Sequence, residues 1–262
     1  MYVLRETTIF CTLCVVLLLQ GCGSADSPSV EKPIETSSIE HDSKITISED
    51  VTITVPPEDP QREVKEVFQK LLTNRLEPDP DEWKKADKQL TAFGKTAVPT
   101  LTTEMSNSDP SARELASMYL ASLGPEAKEA APVLEQALQD ESPFTQVNAA
   151  STLTHFPEYR DKAIPVLISL TKHTDANTRL TAIYALGSLE SHEEAQLQAI
   201  KAALNDSDSD VQLAAIKVLG QIGDPAKETL TDLQTLIDNS ETDEILREAA
   251  LSSKSQIEQA KQ

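Results

Sequence analysis

Cysteine is nearly absent from this chain and confined to one end. Its three thiols, Cys11, Cys14 and Cys22, all fall in the first 22 of 262 residues. The rest of the chain has no disulfide to draw on and must hold a core by packing alone. Glycine is scarce too, at seven residues, and aromatics reach only 4%. Such a composition suits helices packed through small side chains and disfavours a β-sandwich or a glycine-rich nucleotide fold. Basic residues are outnumbered, 23 Lys+Arg against 43 Asp+Glu, for a net charge of −20. That surface repels nucleic-acid phosphates and anionic lipid heads, and it favours solubility and a basic partner. Walker, Rossmann and GxSxG strings are also missing.

What is present begins at the N-terminus. Arg5 precedes the apolar run IFCTLCVVLLL at 9–19. A helix needs about 20 apolar residues to cross a bilayer core. The run is too short for that and fits the h-region of a signal peptide. Leu19-Gln20-Gly21-Cys22 follows and resembles the lipobox of bacterial lipoproteins. The resemblance implies a signal peptide over 1–21 and a diacylglyceryl group on the Cys22 sulfur. It also implies acylation of the new N-terminus and a lipid-anchored, extracytoplasmic protein at the cell membrane or outer membrane. Gly23 in place of Asp favours the outer membrane. Residues 22–58 are rich in Ser, Thr, Glu, Asp and Pro and read as a disordered tether. Within it, ITISEDVTITV at 45–55 alternates like a strand or small hairpin, and both readings stay open.

Beyond the tether the sequence repeats with a period of 33. Ala recurs at 116, 149, 182 and 215, and Leu at 120, 153, 186 and 219. Leu101, Leu134, Leu167, Ile200 and Leu233 form another column. A constant step of this size marks stacked supersecondary units. Each unit carries two apolar stripes of helical spacing, such as Val98, Leu101 and Met105, then Ala116, Leu120 and Leu123. Between them lie Asn/Asp/Ser turns, NSDPS at 107–111, DESP at 140–143 and NDSDSD at 205–210, which suit N-caps. Gly124 and Gly223 suit helix C-termini. Pro99, Pro132 and Pro165 are expected in the first turn of each first helix. The reading is six helical hairpins, roughly 60–94, 96–124, 126–156, 159–190, 193–223 and 225–259. In the first, Trp83 falls in the alanine column; in the last, Lys254 falls in the leucine column and makes a polar end face.

AVPTL (97–101), APVL (131–134), AIPVL (163–167), RLTAIYALGSL (179–189) and VQLAAIKVLGQIG (211–223) resemble HEAT repeats, particularly the bacterial class similar to phycobilisome-lyase proteins. The implied fold is an all-α solenoid over 59–262 with second helices on the concave side. HEAT units often pair an Asp late in the first helix with an Arg six residues on, bonding between repeats. Here those columns read Asn107/Arg113, Asp140/Gln146, His173/Arg179 and Asp206/Gln212, so the ladder is expected to be only partly kept.

Catalytic constellations are lacking. His41, His155, His173 and His192 have no His or Cys three or four residues away, as zinc spacing would require. HEAT-type deoxyhypusine hydroxylases bind iron through several His-Glu pairs, and His192-Glu193 alone cannot build a di-iron site. Asp206-Ser-Asp208-Ser-Asp210 opens like an EF-hand loop, but Val211 and Lys217 stand where Gly and Glu are needed. It reads as turn and cap carboxylates. The expectation is a non-enzyme without cofactor or metal. The polar stripe of the second helices supplies a candidate partner-binding set: Met118, Phe144, Asn148, Ser151, His155, Tyr184, Lys217 and Gln221. Leu115, Ser122, Asn177, Thr181, Ser188 and Asp210 lie along the same stripe. Its mix of aromatic and small polar groups suits protein or peptide recognition. The expected role is a membrane-anchored interaction scaffold. A structural envelope lipoprotein without a discrete partner and a HEAT-type lyase or metal enzyme are the alternatives.

Overall fold

The computed structural model describes residues 59–75, 79–189 and 193–260. The signal segment, Cys22, the tether with its 45–55 stretch, and His192 lie outside the described residues. Those residues form twelve α-helices and no strand, arranged as six successive hairpins. They are α1 (Pro60–Asn74) with α2 (Pro80–Phe93), α3 (Val98–Glu104) with α4 (Pro110–Leu123), and α5 (Ala131–Ala137) with α6 (Pro143–Leu153). Then come α7 (Arg160–Leu170) with α8 (Ala176–Gly187), α9 (Glu194–Ala202) with α10 (Ser209–Ile222), and α11 (Leu230–Asp238) with α12 (Glu244–Gln259).

The turns do what their residue types dictate. Asp79, Asp109, Ser142, Asp175, Asp208 and Asp243 cap the six second helices, each accepting from a first-turn backbone N–H. This satisfies donors that have no intrahelical partner. Gly124 and Gly223 end α4 and α10 at φ of +53° and +71°, where a Cβ would be strained. Short 3₁₀ stretches lead into α3, α5, α7 and α11.

Two expectations are overturned. Pro165 does not lie in a first turn: α7 already starts at Arg160, which puts the proline mid-helix. The missing N–H leaves the Asp161 carbonyl without its helical donor. Both residues are exposed, which leaves that carbonyl open to solvent. Trp83 is not in the alanine column. Aligned from its cap, Asp79-Pro80, α2 matches α4 from Asp109-Pro110 with a step of 30. Ala86 and Leu90, 5% and 2% exposed, then fill the alanine and leucine columns. Trp83 becomes the fourth residue of its helix, the position of Arg113 in α4.

The core runs the length of the array. Leu71, Leu101, Leu134, Leu167, Ile200 and Leu233, one per first helix, are essentially inaccessible. Burying each such side chain contributes about 1.5–3 kcal/mol. From α4 onward each second helix packs on the next one, and the first helices touch one another less. The second helices are thus the more closely packed of the two layers. Small residues set that approach: a Cβ on Gly187 would lie 2.3 Å from Cγ1 of Val218. Ala250 and Ile257 of α12 are buried, and Lys254 stays partly exposed, donating to Gln234 Oε1 at 2.7 Å.

A candidate binding face on the second helices

The second helices α4, α6, α8, α10 and α12 correspond residue for residue when counted from their caps. Met118, Ser151, Tyr184 and Lys217 are each the ninth residue and form one row across adjoining helices. Phe144 is the second residue of α6 and Gln221 the thirteenth of α10, while His155 lies in the turn two residues past the end of α6. Positions 2, 9 and 13 share one helical face. Met118, Phe144, Ser151 and Tyr184 are half-buried, and His155, Lys217 and Gln221 are exposed. The His155 ring reaches back toward the preceding hairpin, where a Cβ on Gly124 would come within 3.2 Å of Nε2. Asn148, at the sixth place, stands on the flank of α6, where its amide donates to Ser117 Oγ of α4 at 3.1 Å. Leu115 and Thr181 belong to the core. Burial raises the Tyr184 phenol above its ordinary pKa, and the Asp210 carboxylate adds to the shift.

The ionised groups beside this face are paired off. In α4, Arg113 donates from Nε to Asp140 Oδ2 at 2.7 Å, from Nη2 to Glu141 Oε1 at 2.8 Å, and from Nη1 to the Asn107 carbonyl at 2.9 Å. Glu114 accepts from Arg75 Nη2 at 3.2 Å and from Ser142 Oγ at 2.6 Å. In α8, Arg179 grips Asp206 through Nε and Nη2 at 2.8 and 2.6 Å, and its Nη1 donates to the His173 carbonyl. The Arg179 guanidinium holds the Asp206 carboxyl below the usual carboxylate range. Helix α6 carries no charged residue. Every charged side chain on α4, α6 and α8 is therefore engaged, leaving a neutral surface across three hairpins of an acidic protein. Farther along, Asp210 and Lys217 put charge back on α10. Among the described residues no three His, Cys, Asp or Glu side chains gather as metal ligands.

The clamps revise the expected ladder. The acid that each arginine holds belongs to the next hairpin, 27 residues on. The contact six residues back is to a backbone carbonyl, which any side chain provides. Asn107 and His173 therefore cost the ladder nothing. In the third hairpin, Gln146 takes the arginine's place and donates to the Asp140 carbonyl at 2.6 Å. In the last, Arg247 donates to the carbonyls of Asn239, Ser240 and Thr242. The signal in the sequence was the recurrence of Arg113/Asp140 as Arg179/Asp206, two hairpins later.

Comparison with known proteins agrees with this architecture. The family pattern described as HEAT repeats matches residues 131–199 and 164–255. No curated protein matches in sequence. Among solved structures, a designed armadillo repeat protein in complex with the peptide (KR)4 is 16% identical, with a TM-score of 0.52, covering 74% of this chain and 99% of that one. An engineered protein is 17% identical at a TM-score of 0.50, covering 75% and 99%. A phycocyanin lyase complex from Nostoc sp. is 22% identical at 0.42, covering 60% and 98%. The described chain is an all-α solenoid of helical hairpins, with HEAT repeats across residues 131–255.

Proposed function

We propose that this protein is a lipid-anchored, extracytoplasmic scaffold that binds a protein or peptide partner along its second-helix face and performs no catalysis. The observation carrying this reading is the neutral strip over α4, α6 and α8, bordered by Met118, Phe144 and Tyr184. Desolvating it on binding strands no charge, and aromatic anchors with small polar neighbours supply contact area and hydrogen bonds. Neighbouring helices stand about 10 Å apart, so three of them span about 20 Å, the reach of roughly six residues of extended chain. The designed armadillo protein that shares the fold was solved with a peptide, which supports the mode without identifying this chain's partner. The anchor rests on the Leu19–Cys22 lipobox resemblance.

Chemical cross-linking in cells followed by affinity purification tests the face. A recurrent partner is expected with the native chain and lost with Met118→Ala plus Tyr184→Ala. It is retained with Lys95→Ala, on the opposite layer. Capture that ignores the double substitution removes the inner face from consideration. Mass spectrometry of the mature N-terminus tests the anchor separately: it should begin at Cys22 with a diacylglyceryl thioether.

A further inference from the structure

The second-helix face is neutral over α4, α6 and α8, and its two borders differ in charge. On one side α2 is balanced, with Asp81, Glu82 and Asp87 against Lys84, Lys85 and Lys88. On the other side acids prevail. The starts of α10 and α12 carry Asp208, Asp210, Glu241, Asp243 and Glu244, with Arg247 as the base. Arg247 is turned to backbone carbonyls of its own turn.

At that border Asp210 is the acid that stands in line with the strip. It is the second residue of α10, in the row of Ser111, Phe144 and Asn177, and it is exposed. The acids before it are spent. Asp206 is held by Arg179. Asp208 accepts from the backbone N–H groups of Asp210 and Val211, which also quenches the positive end of the helix dipole. Among the described residues no cation pairs with the Asp210 carboxylate. Lys217 lies on the same side of α10, seven residues on. That is about 10.5 Å along the helix axis, beyond the Debye length of about 8 Å at physiological salt, so its repulsion of a cation on Asp210 is screened. The Tyr184 ring borders the same spot, near enough for the Asp210 charge to act on its phenol. A carboxylate beside an aromatic ring suits a cationic side chain, whose charge meets the acid while its stem or guanidinium plane lies on the ring.

We infer that Asp210 selects the partner: the peptide segment bound on the second-helix face is uncharged over α4, α6 and α8, and carries an Arg or Lys that pairs with Asp210. The inference rests on the scaffold reading above and adds to it the partner's chemistry and direction. A basic residue over the strip finds no unengaged acid, and an acidic one at the start of α10 meets repulsion. At Asp210 a cation meets an unmatched charge. Phe144 and Asp210 lie two helices apart, about 20 Å, the reach of roughly six residues of extended chain. The basic residue therefore falls about six residues from the one that meets Phe144.

The test uses the full chain and a phage-displayed library of random peptides. Selection on the native chain should enrich peptides with one Arg or Lys about six residues from an apolar or aromatic residue, with no charge between them. Selection on Asp210→Lys should enrich Asp or Glu at that same place. A peptide from the first selection should bind Asp210→Asn about tenfold more weakly, through loss of one charge-assisted hydrogen bond that the partner covers. Binders without a basic residue, or binders that hold Asp210→Asn and Asp210→Lys as tightly as the native chain, overturn the inference. If such binders are still lost on Met118→Ala plus Tyr184→Ala, the scaffold reading stands without it. A native chain that enriches no peptide sensitive to that double substitution overturns both.

Discussion

The arginine clamps are where single residues weigh most. Arg113 and Asp140 keep 13% and 9% of their side-chain surface, and Arg179 and Asp206 keep 11% each. By contrast, Lys95 and Glu129 keep 64% each. Charge-assisted hydrogen bonds at sheltered sites contribute about 1.5–3 kcal/mol, and exposed pairs about 0–1 kcal/mol. Arg179→Ala should therefore lower the urea-unfolding free energy by about 1.5–3 kcal/mol, and Lys95→Ala by less than about 0.5 kcal/mol. Equal effects would show that the clamp geometry confers nothing. The same pair gives a pH signature. The folded Asp206 carboxyl holds its proton less tightly than the unfolded one. Its stabilisation is thus complete above the unfolded carboxylate range, about pH 4, and is lost as pH falls through the lower folded value. Asp206→Asn should start from a lower stability and lose less of it below about pH 4 than the native chain does. A parallel decline in both proteins would contradict the assignment.

At the scale of the element, the close approach of α8 and α10 rests on Gly187. Since a Cβ there would sit 2.3 Å from Val218 Cγ1, Gly187→Ala must push the helices apart. Overpacking of this kind costs about 1–3 kcal/mol, although alanine is the better helix former by about 1 kcal/mol. A net loss is expected, partly recovered by Val218→Ala in the same chain. Thermal unfolding of the two variants decides it, and a stabilised Gly187→Ala would refute the contact. Elements of this kind were largely legible in the sequence. The alanine and leucine columns recur because each hairpin meets its neighbour in one geometry, so the period carries the packing with it. Reading failed where geometry changes locally. Trp83 was misplaced because the first two second helices are spaced by 30, not 33. Pro165 was misplaced because α7 begins earlier than its siblings. The clamp acids went unrecognised because the ladder's columns were paired six residues apart, whereas each arginine's acid stands 27 residues on. Of the candidate face, the ninth-position row was readable from spacing. The flank role of Asn148 was not, since a shift of three residues on a helix changes which neighbour is met.

For the whole molecule, a linear array predicts position-dependent consequences of one kind of lesion. Stability is a sum of hairpin terms and nearest-neighbour interfaces, so an end can fray alone and a middle cannot. Leu167 in α7 and Leu233 in α11 are both 0% exposed, and truncating either to alanine removes about 2–5 kcal/mol. Leu233→Ala should strip amide-exchange protection from α11 and α12 and leave α5 to α8 nearly as protected as before. Leu167→Ala should lower protection on both sides, because the fourth hairpin is a neighbour to two others. Hydrogen exchange resolved by mass spectrometry separates these patterns. Uniform loss from Leu233→Ala would mean that the six hairpins unfold as one cooperative block, with interfaces so strong that no end opens independently.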